Sequence, residues 1–284
     1  MKIAVSTEST CDLSKELIEK YDVKIIPYHV ILGDEEYQDD GSLSSSKLFD
    51  YVDKNGVLPK TAALTVGEYE DYFKNILKDY DAVIHITLSS RITSSVGNCE
   101  LAAKNCQNVY VIDSKSLSTG IGLLVLSCAE KIRANMEIKQ IVNSISQEVE
   151  RVQASFVINT LKYLHKGGRC SGVALLGANL LKIKPKIALV DGKMEVVKKY
   201  MGKLDDVLIR YCNDVLSENN PNLNRVFVTY SSRVACTDKI IKMLKDYGFK
   251  EVYETQAGCT ICSHCGQDTL GVLFINREKD AIKG

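Results

Sequence analysis

The sequence predicts an α/β protein of two domains: a doubly wound, mostly parallel sheet in residues 1–152 and an α+β mixed sheet in residues 153–284. Three observations support this prediction. A chain of 284 residues suits two domains of ordinary size. Strand-like and helix-like stretches alternate through the first half, as in sheets whose parallel strands are joined by crossover helices. Later, Asp191-Gly192 separates two β-rich runs and predicts a hairpin, which indicates antiparallel pairing.

The N-terminal domain is predicted element by element from its hydrophobic pattern. Strands are expected at residues 2–6, 23–32, 82–88 and 108–113, and helices at 13–21, 66–80, from about 93 and from 120. Within 66–80, one helical face carries Tyr69, Phe73, Ile76 and Leu77. Pro27 lacks a backbone donor, so the strand that contains it is predicted to be an edge or bulged strand.

The pattern changes near residue 150, and the domain boundary is therefore set between residues 152 and 153. Further strands are predicted at residues 155–160, on both sides of the 191–192 turn, and at 225–232, 252–256 and 271–277. The segment Val173–Ile183 is apolar all round, so it is either core or the wall of an apolar pocket. Two domains that face each other make the cleft between them the expected ligand site.

Composition excludes several function classes. The chain has 36 basic and 36 acidic residues, so no basic surplus indicates a nucleic-acid partner. It contains no GxxxxGK[ST] sequence for a nucleotide phosphate, and Gly120-Ile-Gly122 lacks the third glycine of a dinucleotide fingerprint. No run of 18 apolar residues and no signal-like N-terminus is found, so a cytoplasmic location is expected. The ten cysteines are then predicted to be mostly reduced and buried.

Two hydroxyl-rich loops are candidates for binding an anion. The loop SSRITSS (89–95) follows a predicted strand, and ligands bind at the carboxyl ends of strands in open α/β sheets. The loop KTAALT carries Thr61 and Thr65 before a predicted helix. Hydroxyls and backbone N–H groups suit a carboxylate or phosphate, but for each loop taken alone, simple capping of the following helix is the favoured interpretation.

A third candidate is the turn HKGGRCSG (165–172). Its glycines permit a positive φ or a close backbone approach, and Arg169 could pair with an anion. The alternative is a surface turn with a solvated arginine.

The cluster Cys259, Cys262, His264 and Cys265 has the ligand types of a zinc or iron–sulfur site. However, no second CxxC accompanies it, so buried thiols are the favoured interpretation. His264 could instead donate a hydrogen bond to an anionic head group. A third alternative is a lipid-ester hydrolase in which a hydroxyl of 89–95 is the nucleophile and His264 the base.

Taken together and in this order, the motifs resemble those of the bacterial DegV family of fatty-acid-binding proteins. The matching segments are STESTCDL (6–13), SSRITSS (89–95), VIDSKSLSTGIG (111–122), FVINTLKYLHKGGRCS (156–171) with LLKIKP (180–185), and ICSHCG (261–266). The resemblance covers essentially the whole chain. The 156–185 match is the most specific of the set.

The resemblance implies a non-enzymatic protein that holds one long-chain fatty acid in a tunnel between two domains. Its carboxylate would be met by Thr61, Thr93, Ser94 and His264, with no cofactor and no metal. The family also implies that a separate fatty acid kinase subunit docks near Arg169 and phosphorylates the presented carboxylate. Transient membrane contact is a further expectation.

The chain departs from the usual family pattern at several positions. Glu8 stands where aspartate is usual, Thr93 where serine is usual, and Ser94 where glycine is usual. Gln267-Asp268 replaces Pro-Gly after the histidine turn, and Asp268 would repel a carboxylate if it pointed inward. Met201 aligns approximately with a usual basic residue, which weakens the expectation of a kinase partner.

Overall fold

A computed structural model describes residues 1–170 and 183–278. The strands of these residues are β1 (Ile3–Glu8), β2 (Lys24–Ile26), β3 (His29–Leu32), β4 (Glu35–Gln38), β5 (Lys60–Ala62), β6 (Ala82–Thr87), β7 (Val109–Asp113), β8 (Val152–Val157), β9 (Ile183–Val190), β10 (Lys193–Met201), β11 (Pro221–Tyr230), β12 (Glu251–Gln256) and β13 (Leu270–Asn276). Their helices are α1 (Lys15–Tyr21), α2 (Ser45–Asn55), α3 (Val66–Ile76), α4 (Ser95–Lys104), α5 (Thr119–Arg133), α6 (Ile138–Val149), α7 (Lys162–Gly167), α8 (Leu204–Glu218), α9 (Thr237–Tyr247) and α10 (Cys259–Cys265).

The N-terminal part is built on a parallel sheet with the strand order β2-β1-β6-β7. The central strand β6 is buried along its whole length, which explains its continuous apolar sequence. Helix α5 packs on β1 and β6, and α4 packs on β7 and against α3. In α3, Tyr69, Phe73 and Ile76 are buried as predicted, whereas Leu77 lies just beyond the helix and is partly buried.

The C-terminal part is built on a mixed sheet with the order β10-β9-β8-β13-β11-β12. Strands β11 and β12 are parallel, and the other neighbours are antiparallel. The predicted hairpin is confirmed: Asp191 and Gly192 connect β9 to β10 with φ values of 49° and 78°. The fold class predicted from the sequence is therefore correct. The boundary between residues 152 and 153 stays a prediction, and in the structure Val152 is the first residue of β8.

The single strand predicted over residues 23–32 is wrong. The chain leaves the parallel sheet after β2, passes Pro27, and enters a separate three-stranded antiparallel sheet as β3. Proline cannot donate to a strand ladder, so the two β-rich halves belong to different sheets. β2 is an edge strand, in line with the expectation for Pro27, but β3 is the central strand of its own sheet between β4 and β5.

Three further predictions have simple outcomes. All ten cysteines are buried, as expected of small apolar side chains. The predicted apolar segment Val173–Ile183 lies outside the described residues except for Ile183, which begins β9. In the part of the chain that the structure describes, no helix has the length and apolar character needed to cross a bilayer.

One hydrophobic cluster joins the two large sheets. It contains Val5 and Ile84 of the parallel sheet, Ile121 of α5, and Phe156 and Phe227 of the mixed sheet, all of them buried. Because these side chains pack against one another, the two sheets share a core and the cleft between them has firm walls.

Candidate functional site

The structure brings the five predicted site residues to one place. A cavity of about 120 Å³ between the two sheets is lined by Thr61, Thr93, Ser94, Arg169 and His264, and we call it the polar cavity. Residues on its N-terminal side come from β5 and from the loop after β6, whereas the turn after α7, the strand β10 and the helix α10 supply the C-terminal side. Neither wall alone could enclose a ligand, so the site depends on both halves of the chain.

Thr61 and His264 join the two walls directly. Thr61 Oγ1 lies 2.9 Å from Nε2 of His264, and 203 residues separate the two in sequence. Burial, aided by the positive charge of Arg169, lowers the pKa of His264 to about 4. The imidazole is therefore neutral at pH 7 and takes part as a hydrogen-bonding group, without a charge of its own.

Gly167 and Gly168 of the HKGGRCSG turn serve the two purposes expected of glycines there. A Cβ atom at Gly167 would lie 2.8 Å from Nδ1 of His264, so only glycine allows the backbone to approach the imidazole this closely. Gly168 ends α7 with a φ of 68°, in the left-handed region. The exposed Arg169 follows, and its Nη1 donates to the carbonyl of Gly167 at 2.6 Å.

The loop over residues 89–95 presents hydroxyls and also caps its own helix. The N–H of Ser95 donates to Thr93 Oγ1 at 3.2 Å, and Tyr28 Oη lies 3.4 Å from the same oxygen. Ser94, by contrast, is the residue before α4, and within the described residues its side chain makes no capping hydrogen bond. Capping therefore accounts for Thr93 in part, while the Ser94 hydroxyl at the polar cavity has no such structural role.

Thr65 follows the capping interpretation fully. It forms a reciprocal capping box with Glu68 at the start of α3. It is not among the residues that line the polar cavity.

Glu8, from the first matching motif, holds the start of the 89–95 loop by hydrogen bonds. Its side chain is fully buried, and it accepts hydrogen bonds from Tyr69 Oη at 2.8 Å and from the N–H of Leu88 at 2.7 Å. Leu88 is the last residue before the loop and itself lines the polar cavity. Glu8 thus fixes where the loop begins, which is a positioning role behind the cavity wall.

Asp268 does not point into the cavity. Its carboxylate accepts hydrogen bonds from Asn159 and Ser232, each at 3.0 Å, and its own φ is 57°. The repulsion anticipated for a bound carboxylate therefore has no basis in this arrangement.

The segment 259–265 forms a short helix, α10, that the sequence did not predict. Two buried aspartates from the N-terminal part hold its first turn. Asp39 accepts from the N–H groups of Cys259 (2.8 Å) and Thr260 (3.0 Å), and Asp12 accepts from the N–H of Gly258 (2.8 Å). Carboxylates at a helix N-terminus satisfy its free donors and its dipole. Burial raises the pKa of Asp12 well above its usual range.

The three thiols of α10 take part in separate sulfur–carbonyl contacts. Sγ of Cys259 lies 3.1 Å from the carbonyl oxygen of Leu43, that of Cys262 lies 3.4 Å from Ala257, and that of Cys265 lies 3.7 Å from Gly266. Across residues 1–170 and 183–278, no group of three or more His, Cys, Asp or Glu side chains is arranged to hold a metal ion.

An apolar pocket adjoins the polar cavity. The centre of a water molecule can reach a volume of about 50 Å³ within it. Its walls include Phe156, Leu164, Cys265 and Leu273. Three residues, Leu117, Met194 and Ile261, line both spaces and mark where they meet. A molecule with a polar head and an apolar body matches this pair of spaces.

Sequence reasoning missed two polar residues of the site, Tyr28 and Thr260. Tyr28 follows Pro27, and no pattern distinguished it from an ordinary strand residue. Thr260 had a usable signal, since it lies four residues before His264 and on a helix such residues share a face. That signal required the helix α10 to be predicted first.

Comparison with known proteins gives a consistent result. A family model described as an uncharacterised protein of the DegV family matches residues 2–277. A DegV domain-containing protein of Clostridium acetobutylicum is 31% identical over 293 residues, covering 97% of this chain and 99% of the relative.

Solved structures agree in fold. A Bacillus subtilis protein described as DegV, a fatty acid binding protein, superposes with a TM-score of 0.84 at 27% identity, over 98% of this chain and all of the other. A Thermotoga maritima protein whose structure is described as revealing a fatty acid binding function gives a TM-score of 0.85 at 25% identity, with the same coverage.

Proposed function

The chain belongs to the DegV family, and we propose that it binds one long-chain fatty acid between its two sheets. It would act as a lipid-binding protein, not as an enzyme. The fatty-acid-binding descriptions of similar structures support this proposal. The carboxylate would lie in the polar cavity among Thr61, Thr93, Ser94 and His264, and the acyl chain would extend past Met194 into the apolar pocket.

The observation that carries the proposal is that the two spaces are adjacent and share wall residues. Leu117, Met194 and Ile261 form walls of both, so a single ligand can occupy hydroxyl-lined and apolar surroundings at once. A buried acyl chain gains about 0.8 kcal/mol per methylene, so a dozen methylenes contribute on the order of 10 kcal/mol before the costs of association. The apolar body would thus supply most of the affinity.

The polar cavity would supply the preference for an acid. A carboxylate has two oxygens and about four lone pairs to satisfy once it leaves water. Hydroxyls and a neutral imidazole can meet these acceptors with hydrogen bonds, and bonds to a charged acceptor are about twice as strong as neutral ones. No cofactor or metal enters this proposal.

We further propose that the bound carboxylate is presented to a separate kinase subunit. The kinase would transfer the γ-phosphoryl group of ATP to a carboxylate oxygen, which yields an acyl phosphate and ADP. The exposed Arg169 at the cavity suits a docking contact for such a partner. The lack of a phosphate-binding loop in this sequence is consistent with ATP being held by the partner.

The hydrolase alternative has weaker support. His264 Nε2 contacts Thr61, not a serine of the 89–95 loop. Among the described residues, nothing pairs with Nδ1 of His264, whereas the base of a Ser–His–Asp triad is oriented by a carboxylate at that atom.

Native mass spectrometry of freshly purified protein, followed by denaturing extraction and lipid identification, tests the binding proposal. We expect a stoichiometric adduct that extracts as an intact fatty acid. The delipidated protein should take up palmitate or oleate and release no product from the corresponding esters. A chain that carries no lipid and takes up neither acid would contradict the proposal, and ester turnover lost in His264→Ala would favour the hydrolase.

A matched pair of variants tests where the acyl chain lies. Met194 is buried at the junction of the two spaces, whereas Met201 lies on the same strand with 65% of its surface exposed. Met194→Gln places an amide in an apolar wall. Palmitate affinity should fall about tenfold, which corresponds to the lower end of the free-energy cost of an unsatisfied buried polar group. Met201→Gln should leave it unchanged. Equal affinities in both variants would contradict the proposed path.

For the kinase partner, Arg169→Glu is compared with Lys166→Glu, a charge reversal at an exposed residue of α7. We expect acyl-phosphate formation by an added fatty acid kinase subunit to fall in Arg169→Glu beyond any change in fatty acid affinity. A rate that follows affinity alone would contradict docking at Arg169.

A further inference from the structure

Thr260 has an unexplained hydroxyl group at the polar cavity. It is the second residue of α10, only 3% of its surface is exposed, and it lines the cavity together with Thr61 and His264. Its backbone N–H is used by Asp39. Its Oγ1, however, is buried without a hydrogen-bond partner among residues 1–170 and 183–278.

Two neighbouring hydroxyls show what Thr260 could have done instead. Ser263 Oγ donates to the carbonyl of Cys259 at 2.7 Å, and Thr269 Oγ1 donates to the carbonyl of Cys265 at 3.0 Å. Both bonds run back four residues, which is the ordinary way for a hydroxyl in or near a helix to satisfy itself. Thr260 makes no such bond within the described residues. Its hydroxyl is the exception on this segment.

Thr260 lies beside His264 in the wall of the polar cavity. Residues four apart on a helix share a face, so Thr260 and His264 lie one above the other toward the cavity. His264 Nδ1, which faces the backbone of Gly167, also lacks a partner among the described residues. A buried hydroxyl without a hydrogen-bond partner costs folding free energy. Such groups in native proteins therefore indicate a ligand or another functional role.

We propose that Thr260 is a further specificity-determining residue, whose Oγ1 donates a hydrogen bond to a carboxylate oxygen of the bound ligand. The inference rests on the proposed fatty-acid function and adds one donor to the Thr61, Thr93, Ser94 and His264 set. Because a hydroxyl bonds more strongly to a charged oxygen than to a neutral one, Thr260 favours a free acid over an alcohol or ester with the same chain.

The test uses delipidated full-length protein and isothermal titration with palmitate and with hexadecanol. Thr260→Val removes the hydroxyl and keeps the shape of the side chain, and we expect palmitate affinity to fall about tenfold, which corresponds to 1.4 kcal/mol. Hexadecanol affinity should fall by less than threefold. Thr260→Ser keeps the hydroxyl and should remain within twofold of the wild type for both ligands.

Stability without ligand separates this role from a structural one. Thr260→Val removes an unpartnered buried hydroxyl, so the melting temperature of the unliganded variant should equal or exceed that of the wild type. Ser263→Ala, the control from the same helix, removes a satisfied hydroxyl and should lower the melting temperature while palmitate affinity stays the same.

Different results overturn the inference and the proposed function. Wild-type palmitate affinity in Thr260→Val, or an equal loss for palmitate and hexadecanol, overturns the role of Thr260 and leaves the function intact. A lower melting temperature of unliganded Thr260→Val would assign its hydroxyl to the fold and likewise overturn the inference. A wild-type protein that binds neither ligand overturns the proposed function itself.

Discussion

The two walls of the polar cavity are built in different ways. On the N-terminal side, Thr93 and Ser94 follow a central strand of the parallel sheet, and Thr61 belongs to the short strand β5. Their positions follow from nearby backbone pairing. On the C-terminal side, His264 and Thr260 are carried by a helix of seven residues. Carboxylates more than 200 positions away in the sequence hold that helix.

This difference indicates which wall is the more vulnerable. Thr93 and Ser94 follow β6, an interior strand that backbone bonds hold on both sides, so one side-chain change moves it little; Thr61 lies on the edge strand β5. The helix α10 is joined to the other wall by hydrogen bonds to Asp12 and Asp39, by the Thr61–His264 bond, and by the packing of Cys259 and Cys262 in one buried cluster with Val30 and Leu48. Substitutions at these few cross-connections should therefore have effects out of proportion to their number.

The largest expected effect concerns His264 and pH. Its pKa is about 4 in the folded protein and 6.5 in its ordinary state. Above pH 6.5 it is neutral in both states. Between pH 6.5 and 4, only the unfolded chain binds a proton at His264. Lowering the pH through this range therefore reduces the free energy of unfolding by up to about 3 kcal/mol, at 1.36 kcal/mol per pKa unit.

In His264→Asn this pH-dependent loss disappears. The difference in unfolding free energy between wild type and variant should therefore shrink by about 3 kcal/mol from pH 7 to pH 4, measured by urea unfolding at several pH values. Asp12, whose raised pKa stabilises the fold as pH falls, acts in both proteins and drops out of the difference. Substitution of the exposed His165 by Asn is the control. A difference that stays constant with pH would show that the imidazole is not sequestered by the fold.

The same contrast explains what the sequence could predict. The hydroxyls of the N-terminal wall were predictable because Ser/Thr-rich loops after strands of a parallel sheet lie at its ligand-binding edge. Residue type alone left His264 open as a head-group donor, a catalytic base or a metal ligand, and the family resemblance selected the first of these. Local sequence therefore indicates the hydroxyl loops, but it does not indicate the role of His264.

The remaining features depend on contacts that are distant in sequence. Nothing near Asp39 indicates that it caps a helix 220 residues later. Residues 259–265 contain three cysteines, a threonine and an isoleucine, and these residue types have modest helix propensity. The helix α10 therefore relies on tertiary contacts: the two aspartates complete its first turn, and Cys259 and Cys262 are buried. Similarly, no periodicity revealed that the chain changes sheets at Pro27.

A second prediction concerns the anchor of α10. Asp39→Asn replaces one of two acceptor oxygens with an amide that cannot accept from an N–H group, so the bidentate contact to Cys259 and Thr260 is lost. We expect unfolding free energy to fall by about 2 kcal/mol, the usual value for a charge-assisted bond, and palmitate affinity to fall with it. Chemical unfolding and ligand titration measure the two effects.

Asp40→Asn is the control for this change. Asp40 is exposed and, within residues 1–170 and 183–278, accepts only local bonds from Ser42. The same substitution one residue later should therefore change stability by less than 0.5 kcal/mol, as is usual at the surface. If Asp39→Asn destabilised the protein without affecting palmitate affinity, ligand binding at the C-terminal wall would not depend on the Asp39 contact. The inference that this wall is the more vulnerable one would then be contradicted.

The smallest effect concerns a second connection between the walls, at the tip of the β9–β10 hairpin. Ser89 is fully buried, and its Oγ donates to the carbonyl of Gly192 at 2.8 Å. Ser89→Ala should lower unfolding free energy by about 1 kcal/mol, because the carbonyl loses its donor. The exposed Ser90 provides the control variant Ser90→Ala.

Met194 lies two residues after Gly192 and lines both spaces of the site. Faster amide exchange at the hairpin tip in Ser89→Ala should therefore accompany faster palmitate release. Faster exchange with unchanged release would mean that the strand β10 holds Met194 in place by itself, and that α10 alone makes the C-terminal wall the weaker one.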